Sequence, residues 1–226
     1  MTTSYREQFA TQIERERHGG DRPAWLTARR RQALARFEAL GIPTTKNEDW
    51  HYTSLARLNE TMFEPMAPAA SEVRAGDVAE YAFGEEWPTV VFVNGRYSAA
   101  LSSLRGLSSG VQVMRLASAV MEEPTLLEQY LTRIASFDEH ALTALNTAFL
   151  HDGVVLHVHR DANITTPIHI LNYYDAAAAG GVDHPRALIV VERNARATVI
   201  EQYVGVDNTT YFTNAVTEIA VADGAT

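Results

Sequence analysis

The 226-residue chain has no cysteine. That absence removes disulfides, thiolate nucleophiles and thiolate metal ligands together. Lysine is almost missing too: Lys46 stands alone and is followed by Asn47. A Walker phosphate loop needs Lys before Ser or Thr, and a Ser-x-x-Lys pair needs Ser where Pro43 stands. His-Glu-x-x-His, Gly-x-Ser-x-Gly and Gly-x-Gly-x-x-Gly are likewise missing. If ATP matters to this protein, a partner supplies the ATPase. No apolar run approaches the roughly 18 residues of a membrane helix, and the charged start MTTSYREQFATQIERERHGG does not suit a secretory signal. A soluble, cytoplasmic protein is expected, with no membrane partner.

Positive charge is in short supply: 19 basic residues face 28 acidic ones, for a net charge of −9. Residues 1–60 carry 10 basic and 8 acidic side chains, whereas the remainder carries 9 and 20. Such an acidic body argues against nucleic acid, whose phosphates need clustered Arg and Lys. Arg29, Arg30 and Arg31 form the only basic run, expected to be the solvated face of a helix.

What is present is 46% hydrophobic sequence, enough for one large domain or a small one joined to a larger. Three stretches follow: a helical domain over 1–63, a mixed linker, strand and helix region over 64–152, and a β-rich region over 153–226. In the first, Tyr5, Phe9 and Ile13 make a helical stripe. A second helix is expected to start near Asp21 and Pro23, carry Leu26, Ala33, Phe37 and Leu40 on one face, and stop at Gly41. EPMAPAASE (64–72) has linker composition, and TVVFVNGRY (89–97) predicts a hairpin around Asn94-Gly95. Pro124 marks a helix start, with Leu127, Tyr130, Leu131 and Ile134 along one side. Asp138 is the expected N-cap of a further helix, with Phe137 and Leu142 as its hydrophobic staple. From Gly153 onward short strands alternate with turns. VHRDAN, VERNAR and VADGAT begin at Val158, Val191 and Val221, which are 33 and 30 residues apart. A repeat of about thirty residues suggests stacked rungs, although an antiparallel sandwich with evenly spaced hairpins would read similarly.

Three histidines crowd VVLHVHRDANITTPIHIL (154–171). In an extended strand Val155, His157 and His159 share one face, and the wholly apolar Val154, Leu156 and Val158 share the other. The apolar set must face the core. His157 and His159, about 7 Å apart at Cα, then lie on the outer face, and His169 is read the same way. As zinc or iron ligands they would need a third donor and a supporting shell. Glu after three or four intervening residues would supply one, but Asn163 and Ile164 stand at those positions. Solvated strand histidines are therefore favoured over a metal site. A His-liganded metal-dependent enzyme on a β-rich fold is kept as the alternative.

After Gly41, IPTTKNEDWHYTSLARL places Pro43, Lys46, Glu48, Trp50, Tyr52 and Thr53 at a spacing that resembles the N-terminal signature of the SufD proteins, in the SufB/SufD family of the bacterial SUF system. His51 departs from the usual basic residue. VVFVNGRYSAALS, FDEHALTALNTAFLHDGV, TPIHI, HPRALIVVE and FTNAVTEIAV continue the likeness in family order. The resemblance implies an α+β protein with a helical N-terminal domain followed by a right-handed parallel β-helix. It also implies a non-catalytic scaffold for iron–sulfur cluster assembly with SufB-like and SufC-like (ATPase) partners, in which the assembled complex and not this chain handles the cluster. The six signature residues are expected to be structural, with Trp50 and Tyr52 pinning helices onto the body. Family members are longer, and their partner-binding and cluster-related residues lie beyond the matching region. The chain stops within a repeat, so the truncated solenoid is expected to expose a strand edge open to pairing with a second copy.

Overall fold

The computed structural model of the chain describes residues 7, 8, 11, 22–61, 63–66, 73–84 and 86–226. The Tyr5–Phe9–Ile13 stripe, Asp21 and most of the 64–72 linker lie outside the described residues.

Helix α1 (Ala24–Leu40) buries Leu26, Arg30, Ala33, Leu34 and Phe37, an i, i+4, i+7, i+8, i+11 stripe. It starts directly after Pro23 and ends at Gly41, whose φ of 69° carries its N–H back to the Phe37 carbonyl. Two expectations about this helix are corrected. Leu40 falls off the stripe and is exposed. Arg30 is fully buried, because it sits one turn beyond Leu26 on the apolar face; its Nε donates to the Ala148 carbonyl at 2.9 Å. Helix α2 (Ala56–Glu60), strand β1 (Glu64–Pro65) and helix α3 (Ala75–Ala79) follow.

Strands β2 (Thr89–Val93) and β3 (Arg96–Tyr97) form the expected hairpin. Asn94 and Gly95 both adopt positive φ, 49° and 75°, as its tight turn requires. Strand β4 (Val111–Arg115) leads into α4 (Leu116–Glu122) and α5 (Pro124–Tyr130), the latter with Pro at its first position. Leu127 and Leu131 are buried, but α5 has ended before Ile134, which is exposed. Helix α6 (Ala141–Phe149) begins three residues after Asp138, with no side-chain cap. Asp138 accepts instead from the Ser136 hydroxyl at 3.1 Å, and its carbonyl takes Arg36 Nε, so it is not the cap. Helices α1 and α6 pack through Ala33, Phe37, Ala144, Leu145 and Ala148, a core that joins the first sixty residues to the middle of the chain.

The remaining strands are β5 (Val154–Val158), β6 (Ile168–Tyr174), β7 (Gly181–Asp183), β8 (Arg186–Val191), β9 (Val199–Gly205), β10 (Phe212–Thr213) and β11 (Val216–Val221). They fall into three sheets, ordered β4-β5-β8-β11, β3-β2-β6-β9 and β1-β7-β10. The chain visits the sheets in rotation, and every return is parallel to the strand laid down before it. Val158 pairs with Val191 and Val191 with Val221, the register of the thirty-residue repeat. Parallel returns exclude the hairpin sandwich for these strands. The architecture is thus mixed α+β, with several helices around parallel and mixed sheets.

Parallel strands covered on both faces read as continuous apolar runs, and all six residues of β8 and all seven of β6 are buried. Val154, Leu156, Val158, Ile189 and Val191 meet Val90, Phe92, Ile168 and Ile170 across the interior. The opposite face of β5 and β8 presents Val155, Leu188 and Val190 to Leu116, Val120 and Leu127 of the helices and to Leu131 just after α5. Each such fully buried Val, Leu or Ile contributes about 1.5–3 kcal/mol. The turns repeat as well as the strands. Asp161, Asn194 and Gly224 occupy equivalent left-handed positions, φ 59°, 58° and 70°, which Asp, Asn and Gly tolerate best. Asn194 Nδ2 donates to Asp161 Oδ1 at 2.9 Å, stitching one turn to the next.

Candidate functional site

Strand β5 carries His157 toward its end, and His159 follows on the same face. That face is covered by helices at Val155 and opens to solvent only at the histidines. His157 is packed between Gln112 of β4 and Val190 of β8, with its side chain 14% exposed. Its Nε2–H donates to Glu192 Oε1 at 3.0 Å. Glu192 Oε2 accepts the Arg160 backbone N–H at 2.8 Å, and that bond, with the His157 contact next, holds the carboxyl below its usual pKa. The His157 and His159 rings meet edge-on with centroids 4.6 Å apart. One donor atom from each of His157, His159 and Glu192 lies within 4.8 Å of the others.

Sequence spacing alone misses Glu192, which stands 33 residues after His159. The signal was nevertheless in the repeat: the offset that pairs Val158 with Val191 brings Glu192 beside His159.

His169 belongs elsewhere, and its expected outward position is corrected. It is 1% exposed, and Phe83 closes over it edge-on with ring centroids 5.1 Å apart. Its Nε2–H donates to Gln202 Oε1 at 3.0 Å, and burial lowers its pKa. The outer face of the second sheet is covered, because Val78 of α3 packs over Val91, Leu171 and Tyr173.

The signature residues sit on a loop around a short 3-10 turn, Glu48–Trp50. Asn47 Oδ1 accepts from the Thr44 N–H at 2.9 Å and so closes the loop on itself. Pro43 and Trp50 are half-buried and border a depression shared with the start of α6. Lys46, Glu48, Tyr52 and Thr53 are exposed. Tyr52 is 96% exposed, with only the His51 ring edge-on against it among the described residues, so it pins no helix onto the body. A side chain that the loop turns outward cannot reach the sheets.

A cavity of about 1060 Å³ has Asn94, Asn172, Asp183, His184, Arg186 and Glu201 in its walls. Several of these polar groups are already engaged internally. Tyr174 Oη donates to Asp183 Oδ2 at 3.0 Å, and the His184 N–H donates to Asp183 Oδ1 at 2.8 Å. His184 stacks on Phe149 and accepts from Asn214 Nδ2 at 3.2 Å. Burial raises Asp183 from 3.8 to about 6 and lowers His184 from 6.5 to about 3.

These two shifts act on stability with opposite signs. The His184 contribution is full above 6.5 and is lost as pH falls toward about 3, because the unfolded chain takes up a proton that the folded one refuses. The Asp183 contribution is full below 3.8 and is lost as pH rises through about 6. Chemical denaturation across pH 3–7 will show the acid limb flattened in His184→Phe. Asp183→Asn will be more stable than the parent above pH 6 but not below pH 4. Each slope is bounded by roughly 1.4 kcal/mol per pH unit. Coincident profiles for parent and variants would show that neither group titrates on unfolding.

Comparison with known proteins covers nearly the whole chain. Residues 2–170 match the SufBD protein N-terminal region, and residues 173–226 match the SUF system FeS cluster assembly, SufBD core domain. An iron–sulfur cluster assembly SufBD family protein of Synechocystis is 27% identical over 214 residues, 91% of this chain and 47% of that protein. The iron–sulfur cluster assembly protein SufD of Bacillus subtilis is 28% identical over 211 residues, 90% and 47% of the two chains. SufD of Escherichia coli is 28% identical over 202 residues, 86% and 43%. The chain spans about half the length of these curated relatives. Among the described residues no helix is long and apolar enough to cross a membrane.

Proposed function

The chain belongs to the SufBD family, and from that premise we propose that it is a cytoplasmic, non-catalytic scaffold subunit in iron–sulfur cluster assembly. The observation that carries this reading is the unbroken order of the family match, N-terminal region then core, along the same residues that build the helical layer and the stacked strands. In this reading residues 153–226 begin a right-handed parallel β-helix. The rotation of β5 through β11 among three sheets, each return parallel and in register, supports it. The partners are SufB-like and SufC-like subunits, the latter supplying the ATPase that the lone Lys46 cannot. The cluster is cargo of the assembled complex, since this chain has no thiolate to bind it. β11 lies last in its sheet among the described residues, with Ile219 and Val221 exposed.

Co-expression with the SufB-like and SufC-like proteins of the same source, followed by affinity capture, tests the proposal. Both partners are expected to elute with the protein. Recovery of neither by a full-length protein would remove the scaffold reading. Tyr52→Ala serves as a surface probe in the same capture: it is expected to change unfolding free energy by less than about 0.5 kcal/mol. Its effect on partner recovery then reports on the signature loop alone.

A further inference from the structure

We propose that His157, His159 and Glu192 form a mononuclear site for a divalent transition ion of the zinc or ferrous class, built where the turn after β5 stacks on the turn after β8.

Three features carry the proposal. The first is convergence. Donor atoms of two imidazoles and a carboxylate already lie within 4.8 Å of one another, and His157 Nε2 and Glu192 Oε1 stand 3.0 Å apart. Bonds of about 2.0–2.1 Å at tetrahedral angles put donors about 3.3 Å apart. Small side-chain rotations therefore close the set without moving the backbone.

The second feature is orientation. The Arg160 N–H fixes Glu192 Oε2, which leaves Oε1 turned toward the histidines, the supporting hydrogen bond that a carboxylate ligand needs. Arg193, the next residue, reaches away to Asp223 at 3.6 Å. The third is that a simpler arrangement leaves one residue unexplained. A His157–Glu192 hydrogen bond needs no His159, and the His159 ring has no hydrogen-bond partner among the described residues.

The donor types choose the class of ion. Two imidazoles and a carboxylate suit zinc or ferrous iron. The lack of sulfur disfavours copper(I) and clusters, and the two nitrogens disfavour magnesium and calcium. The Glu192 side chain is 40% exposed, so water can complete the coordination sphere. The site does not depend on the scaffold reading, because nothing in its geometry draws on a partner.

Zinc(II) titrated into the metal-free full chain, in competition with a chromophoric chelator, tests the site, with magnesium as the control ion. One zinc per chain is expected. His157→Ala, His159→Ala and Glu192→Gln should each weaken binding at least about tenfold, and the exposed His140→Ala should not. Cobalt(II) should give the intense visible bands of a four- or five-coordinate ion, and these should fade in the same variants. Circular dichroism checks that each variant folds. Glu192→Gln, which keeps the side chain's size, decides the matter if a histidine variant does not fold. Absence of stoichiometric zinc in the parent, or binding that all three variants retain, overturns the proposal. Zinc binding that His159→Ala leaves unchanged reduces the trio to a hydrogen-bonded pair and overturns it equally. None of these outcomes bears on capture of SufB-like or SufC-like partners, so the two proposals fail separately.

Discussion

Glu218→Ala will lower the unfolding free energy by about 3–5 kcal/mol, the usual cost of stranding one half of a buried ion pair. Glu218 and Arg186 are both fully buried, 2.5 Å apart at closest approach, on adjacent parallel strands β11 and β8. The carboxylate does more than pair. Oε1 also accepts the Thr132 N–H at 2.8 Å, and Oε2 accepts those of Arg133, Ile134 and Ala135 at 2.9–3.1 Å. Four successive backbone donors thus close on one anion, a nest that holds the segment after α5 against the sheet. Arg186 extends the network to Asn146 Oδ1 at 2.9 Å, and Asn146 Nδ2 reaches the carbonyls of Pro185 and Asn214.

Buried pairs can often be exchanged for apolar residues at little cost, but this one should resist. The double variant Arg186→Met, Glu218→Leu removes both charges yet leaves the donors of residues 132–135 without an acceptor. It is expected to recover only part of the single variant's loss. Urea unfolding of the parent, the single variant and the double variant measures the difference. A double variant as stable as the parent would show that the nest is satisfied by water and that the pair was the whole effect.

Gly153→Ala will cost about 3 kcal/mol, at the upper end for overpacking. A Cβ on Gly153 would stand 1.9 Å from the Arg186 carbonyl oxygen, and its φ of 158° is one that side-chain-bearing residues avoid. The obstacle is backbone, so no side chain can swing aside. The close approach lies immediately before β5 begins pairing with β8 at Val154 and Ala187. Relieving it would push Arg186 out of the network just described, and the losses from Gly153→Ala and Glu218→Ala should therefore not add. Gly41→Ala is the contrast. It has open space around the new methyl and pays only for its φ of 69° with ψ of 176°, a combination essentially confined to glycine, about 1–3 kcal/mol. Equal midpoints for the two glycine variants in thermal unfolding would mean that the β5–β8 approach relaxes freely.

Both experiments probe contacts that the sequence could not display. Arg186 and Glu218 are 32 residues apart, and neither carries a local sign of burial; the acidic excess of the chain made Glu218 one surface carboxylate among many. Arg30 was legible in principle, because its place one turn from Leu26 outweighs its membership of a basic run. His169 was not, since the ring that covers it comes from Phe83, far earlier in the chain. Tyr52 shows the reverse failure. A large aromatic in a family signature suggested packing, but the loop presents it to solvent.

By itself the sequence determined what local chemistry controls. The α1 helix with its Gly41 stop and the Asn94-Gly95 hairpin follow from periodicity and turn preference over a few residues, and the register of Val158, Val191 and Val221 follows from a repeat of about thirty. The order of its motifs was also enough to place the chain in its family. Tertiary structure alone decided which distant groups meet where no repeat relates them: the outer faces that helices and loops cover, and the anion enclosed by residues 132–135. These depend on which helices and loops close over the stacked strands, beyond the reach of any local pattern.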